Sequence, residues 1–160
     1  MNKEQRILAS NVLACEQRVS KLLYSVNKVR PFFPLLEAQL DALSDEQEES
    51  IDALILRYSQ TVAMIQDHLF RGIAYVEQED ISDKSNRDKT LLMEKLGAIR
   101  SAEEFGTAAV LRNKFAHHYP EQAAERLERL NLIIEESDFV ITAFADIQAY
   151  LKRKQILPVA

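Results

Sequence analysis

Three features of the sequence predict an all-α protein, an up-and-down bundle of four or five helices. Apolar residues recur at helical spacing over several long segments. Glycine and proline are scarce, three and four in 160 residues, too few for the loops of a turn-rich all-β fold. Two runs, Ser44-Asp45-Glu46-Gln47 and Ser101-Ala102-Glu103-Glu104, have the capping-box form, a hydroxyl followed three residues later by Gln or Glu. No segment alternates convincingly as a strand, and no internal repeat or low-complexity tract stands out.

Lys3 to Lys28 places Leu8, Val12, Cys15, Val19, Leu22 and Val26 on one helical stripe. Arg30-Pro31 ends that helix, because the residue before proline is pushed out of the α region. Phe32, Phe33, Leu35 and Leu36 surround Pro34 and read as apolar filler. Pro34 is expected to open a short helix to Leu43. From Ser44 a long helix runs to Val76 on the stripe Ile51, Leu54, Tyr58, Val62, Ile65, Leu69 and Ile73. Asp45, Glu46, Glu48 and Glu49 lie in its first turns, where carboxylates suit the helix dipole.

Glu77 to Lys89 is the most polar run and reads as a surface loop joining two halves of one bundle. Thr90 to Ile99 is helical, with Gly97 weakening its end. Phe105 to Arg112 forms the next helix, whose Gly106, Ala108 and Ala109 permit close approach of a neighbour. Pro120 then starts a last helix to about Leu151. That helix has an apolar stripe wide enough to predict burial on more than one side, or a dimer contact. The basic Lys152-Arg153-Lys154 suits a helix C-terminus.

A chain of 160 residues with 47% apolar content predicts one domain, residues 1–160, with one packed core. Net charge is −5, which excludes a generic polyanion binder and demands a local basic patch for any nucleic-acid contact. Cys15 is the only cysteine, so no intramolecular disulfide forms, and its place on the first stripe predicts a small buried hydrophobe. There is no basic head followed by an apolar core at the N-terminus. No apolar run approaches the roughly 20 residues needed to span a bilayer. A cytoplasmic protein without a membrane segment is expected.

The densest chemistry lies in Arg112-Asn113-Lys114-Phe115-Ala116-His117-His118-Tyr119. On a continuous helix, the five-residue step from Arg112 to His117 is ~140° of rotation and ~7.5 Å of rise. The two side chains share no face unless Tyr119-Pro120 distorts the end of the helix, or unless they meet across a two-fold axis. Such a pair suits phosphoryl transfer within RNA. Arginine binds two phosphate oxygens at once, and histidine serves as general acid or base. The 2′-OH is an internal nucleophile, so no metal or cofactor is required. Asn113 can position a phosphate or cap the backbone, and Tyr119 can donate a hydrogen bond. The residues alone also admit plainer readings, in which Arg112 pairs with a glutamate, the histidines match the helix dipole and Tyr119 packs. Adjacent histidines point ~100° apart on a helix, and no carboxylate or cysteine cluster joins them for metal binding.

This segment resembles the signature of the HEPN superfamily, and within it the HepT-like toxins: Arg, four residues, His, any residue, Tyr, with Asn after the Arg. Asp67-His68-Leu69 is similar to that family's Asp-x-x-x-His region, although here the two residues are adjacent. The resemblance covers about Leu54 to Leu151, with residues 101–119 as the motif region and about 1–44 as an N-terminal helical extension. It implies a homodimeric bundle in which Arg112 and His117 of two subunits line one cleft. The implied activity is metal-independent endoribonuclease cleavage, with Arg112 and His117 catalytic and Asn113, Tyr119 and Asp67 supporting. The implied partners are an RNA substrate and a minimal nucleotidyltransferase antitoxin that transfers AMP to Tyr119. A non-catalytic HEPN partner of a nucleotidyltransferase is the alternative.

Overall fold

The computed structural model describes residues 1–116 and 123–157, and these form helices with no strand among them. The expectations for His117, His118, Tyr119 and Pro120 lie outside the described residues.

Helix α1 spans Lys3–Val29. Asn2 caps it in a reciprocal box: Gln5 N donates to Asn2 Oδ1 at 2.8 Å and Asn2 N to Gln5 Oε1 at 2.9 Å. Its stripe is fully buried at Leu8, Cys15, Leu22, Val26 and Val29. Burial pushes the Cys15 thiol up to about 12, which leaves an inert apolar side chain. A 3-10 turn, Arg30–Phe32, follows with Pro31 inside it.

The short helix α2 covers Glu37–Leu40 and starts later than Pro34. The cause is Asn131, whose Oδ1 accepts from Leu35 N at 2.8 Å and whose Nδ2 donates to Leu35 O at 2.9 Å. This amide clasp takes up both backbone groups of Leu35 and leaves Leu36 extended, so the chain turns helical only at Glu37.

Helix α3 spans Asp45–Met64, with the Ser44–Gln47 capping box formed as expected. It runs antiparallel to α1, because Arg18 bonds Gln60 at 2.9 Å while Arg57 bonds Ser25 at 2.8 Å. The continuous helix expected to Val76 is interrupted by a π turn at Ile65–Leu69, where Phe70 N donates to Ile65 O five residues back. The extra residue rotates the stripe, so that the consecutive Leu69 and Phe70 are both fully buried. Helix α4, Phe70–Val76, continues from there.

Helix α5 occupies Asn86–Leu96 and begins inside the segment expected to be loop. Ser85 accounts for the difference, since its hydroxyl accepts from Asp88 N at 3.1 Å and caps a polar first turn. Gly97 ends α5 at φ +88°, the left-handed conformation that suits glycine.

Helix α6 spans Ala102–Ala116 and packs on α3, α5 and α7. Helix α7 spans Ala123–Arg153 and packs on α6, α1, α2 and α3. Leu130, Ile133, Val140, Phe144, Ile147 and Tyr150 of its apolar stripe are buried in this packing, while Leu132 stays exposed. The basic end of α7 is used locally: Lys154 pairs with Glu77 at 3.4 Å and Arg153 donates to Gly97 O at 3.4 Å. Among the described residues no helix is long and apolar enough to cross a membrane.

Glu136 is a carboxylic acid within this core. It is only 5% exposed, and its Oε2 has no hydrogen-bond partner among the described residues. Burial, then the neighbouring Glu135 and Glu104 carboxylates, push its carboxyl upward. A carboxyl with a higher pKa folded than unfolded contributes stability that is full below the ordinary carboxylate range and lost as pH rises through its folded pKa. Glu136→Gln fixes the neutral form. Chemical denaturation across pH should show the variant more stable than wild type at neutral pH, with the two converging in acid. Parallel profiles would refute this account of Glu136.

Candidate active site

The sequence places Arg112 and Asn113 four and three residues before the end of α6. The helix has one apolar side, with Ala102, Phe105, Ala108 and Leu111 buried. Arg112 lies beside that side and is half-buried, whereas Asn113 and Lys114 are exposed.

Two contacts from α3 hold this end of the helix. The Tyr58 hydroxyl donates to Ala108 O, and its ring meets Phe115 edge-on at 6.5 Å between centroids. In an α-helix the carbonyl of residue 108 also receives the backbone N–H of residue 112. Tyr58 thus fixes the helical turn that carries Arg112, from a position with no solvent exposure. Burial, and next the Glu136 carboxylate, push its phenol upward, so it remains a donor. One turn before Ala108, towards the start of α6, the Phe70 ring packs against Phe105 in a tilted pair, 4.9 Å between centroids. Small-residue packing is realised at Ala108, which is fully buried. It is not realised at Gly106, where an added Cβ would meet open space.

The Arg112 guanidinium forms no hydrogen bond or ion pair with the described residues. Other arginines are engaged: Arg30 with Asp138 at 3.0 Å and Arg100 with Asp146 at 2.7 Å. A guanidinium that is half-buried yet free of carboxylate retains its capacity to bind an anion. Lys114 is its near neighbour in sequence. Arg100 does not join them, since it is held by Asp146 before the start of α6, roughly 18 Å along the helix from Arg112.

Asp67 and His68 sit exposed in the π turn. Because α3 and α4 run antiparallel to α6, with Tyr58 beside Ala108 and Phe70 beside Phe105, Asp67 lies near the Phe105 level. Arg112 is about 10 Å further along α6. His68 instead faces a groove between α4 and α1. Asp67 thus lies apart from Arg112, while Asn113 and Lys114 are its chain neighbours on α6, turned ~100° and ~200° away from it around the helix. His117 and Tyr119 follow immediately in sequence, outside the described residues. Among the described residues no group of three or more His, Cys, Asp or Glu side chains converges as metal ligands would.

Comparison of the chain with protein-family models, with curated proteins and with solved structures finds no match.

The residue that the sequence motif does not reveal is Tyr58. Its only signal is a phenol on an otherwise apolar stripe, which must find a hydrogen-bond partner when buried. Tyr58→Phe keeps the ring against Phe115 and removes the hydroxyl. It should cost about 1 kcal/mol in urea unfolding and speed amide exchange in the last two turns of α6. An unchanged midpoint with unchanged exchange would show that the hydroxyl does not hold this turn.

Proposed function

We propose that this chain is a HEPN-type endoribonuclease, the toxin of a toxin–antitoxin pair. The observation that carries the proposal is Arg112: a half-buried guanidinium without a carboxylate partner among the described residues, opening the run Arg-Asn-x3-His-x-Tyr.

In the proposed reaction Arg112 binds the scissile phosphate through two nitrogens. His117 takes the proton from the 2′-OH, whose oxygen attacks phosphorus. The bond from phosphorus to O5′ breaks, and O5′ receives a proton from an imidazolium or from water. The products are a 2′,3′-cyclic phosphate and a 5′-hydroxyl, with no metal needed for atom balance. Arg112 stabilises the charge that gathers on the phosphorane-like oxygens. Asn113 orients the phosphate, Tyr119 orients the RNA and Asp67 is assigned support through the helix pair rather than by contact. A homodimer would place two such motifs along one cleft. A nucleotidyltransferase antitoxin that adds AMP to Tyr119 would fill the phosphate site with a bulky anion and repel RNA. The net charge of −5 favours a second reading, a non-catalytic partner that presents itself to a nucleotidyltransferase.

Purified chain incubated with RNA in chelator should leave 2′,3′-cyclic phosphate ends. Arg112→Ala and His117→Ala should each lower the rate by at least about 100-fold with unchanged thermal unfolding. Cleavage that survives both substitutions rejects the site. A wild-type chain with unmodified Tyr119, by mass spectrometry, and no cleavage supports the non-catalytic reading.

A further inference from the structure

The second concentration of unengaged polar chemistry lies on the outer face of α4 and its π turn. His68, Arg71 and Tyr75 follow one another at spacings of three and four residues, so they form one row along about 10 Å of helix. All three are exposed, Tyr75 by 55%. None of the three side chains forms a hydrogen bond or ion pair with the described residues.

The row stands between two grooves. On one side α1 supplies Ile7 and Asn11, and a groove of about 240 Å³ opens against His68, Arg71 and Tyr75. Its floor is Gly72, where an added Cβ would come within 2.9 Å of Leu8 Cδ1. The missing side chain lets α4 sit close on α1 and leaves the floor bare between the three polar side chains. On the other side a groove of about 320 Å³ again uses Arg71 and Tyr75, with Ile81 and Lys89 opposite. Arg71 and Tyr75 are thus common to both. Acidic groups also line the grooves: Glu4 the first, Glu79 and Asp80 the second. Asp80 is occupied by Ser82, which donates both its N–H and its hydroxyl.

We propose that this face is a second contact for single-stranded RNA, apart from the Arg112 segment. Arg71 takes a phosphate, with His68 and Lys89 beside it, and one base stacks on the exposed Tyr75 ring. A cation beside an exposed aromatic platform, without a fixed side-chain partner for either, is what sequence-tolerant single-strand binding needs. Asn11 offers an amide to a base edge. The choice of RNA as ligand rests on the ribonuclease reading; the row and its grooves do not.

The test is fluorescence anisotropy with a labelled oligouridylate dodecamer and the full chain, read in the His117→Ala background so that the strand stays intact. Cleavage by the chain with His117 in place is measured separately. Arg71→Ala and Tyr75→Ala should each weaken binding about ten-fold, while Tyr75→Phe binds like the parent because the ring remains. Arg71→Ala should also reduce the slope of log affinity against log salt by about 0.7, one phosphate's share on a single strand. Lys21→Ala, an exposed cation on α1, controls for general charge. The proposal is overturned if the parent chain does not bind the strand, if Tyr75→Ala binds normally, or if Lys21→Ala weakens binding as much as Arg71→Ala. Weakened binding at Arg71 and Tyr75 in a chain that cleaves nothing would uphold this contact and reject the nuclease. Cleavage with binding indifferent to both residues would do the reverse.

Discussion

The placement of Arg112 depends on one buried phenol. Tyr58 reaches from the middle of α3 to the carbonyl of Ala108, the acceptor that also closes the helical turn bearing Arg112. With the Phe115 ring against it, the same side chain fixes the end of α6 in both direction and rotation. A hydrogen bond made with no water present is strict about geometry, since a buried acceptor or donor left unmatched costs about 1–3 kcal/mol. Apolar packing alone would tolerate a small rotation of α6. The phenol does not, and a rotation there would carry Arg112 into the core or away from its face.

Tyr58 can do this only because α3 is itself held from its other side by α1. The first helix is no appendage, for Leu8, Cys15, Leu22, Val26 and Val29 have no solvent exposure. Gly72 lets α4 approach Leu8 closely, and the π turn before it brings Phe70 round to Phe105. One extra residue in a helical turn thus links the α1 side of the bundle to α6. The same extra residue sets His68 and Arg71 on the outer face. Packing and the proposed RNA contact share that irregularity.

Charge is distributed to match. Arg30, Arg100 and Lys154 tie distant segments together through Asp138, Asp146 and Glu77, and exposed pairs of this kind add little stability each. Arg71 and Arg112 are left without such partners among the described residues. Glu136 is the cost on the other side of the ledger, a buried acid among acids near the turn that Tyr58 fixes.

The sequence by itself determined the helices and their stripes. Periodicity and the Ser44 box act within a few residues, so Lys3–Val29 and Asp45 onward could be read directly, whereas the helix expected to run to Ile99 stops at Leu96, where Gly97 caps it. The run from Arg112 to Tyr119 was legible as chemistry because its residue types are unusual together. Only the tertiary structure decided the rest. Asn131 delays α2 from 96 residues away, a contact that no local pattern contains. The π turn exists because Leu69 and Phe70 both find room in the core, which depends on α1 and α6 being present. Free and engaged cations look alike in sequence, and Arg100 differs from Arg112 only through Asp146, 46 residues further on. Local chemistry chooses the element. Which of its side chains are held, buried or left available is chosen by neighbours distant along the chain.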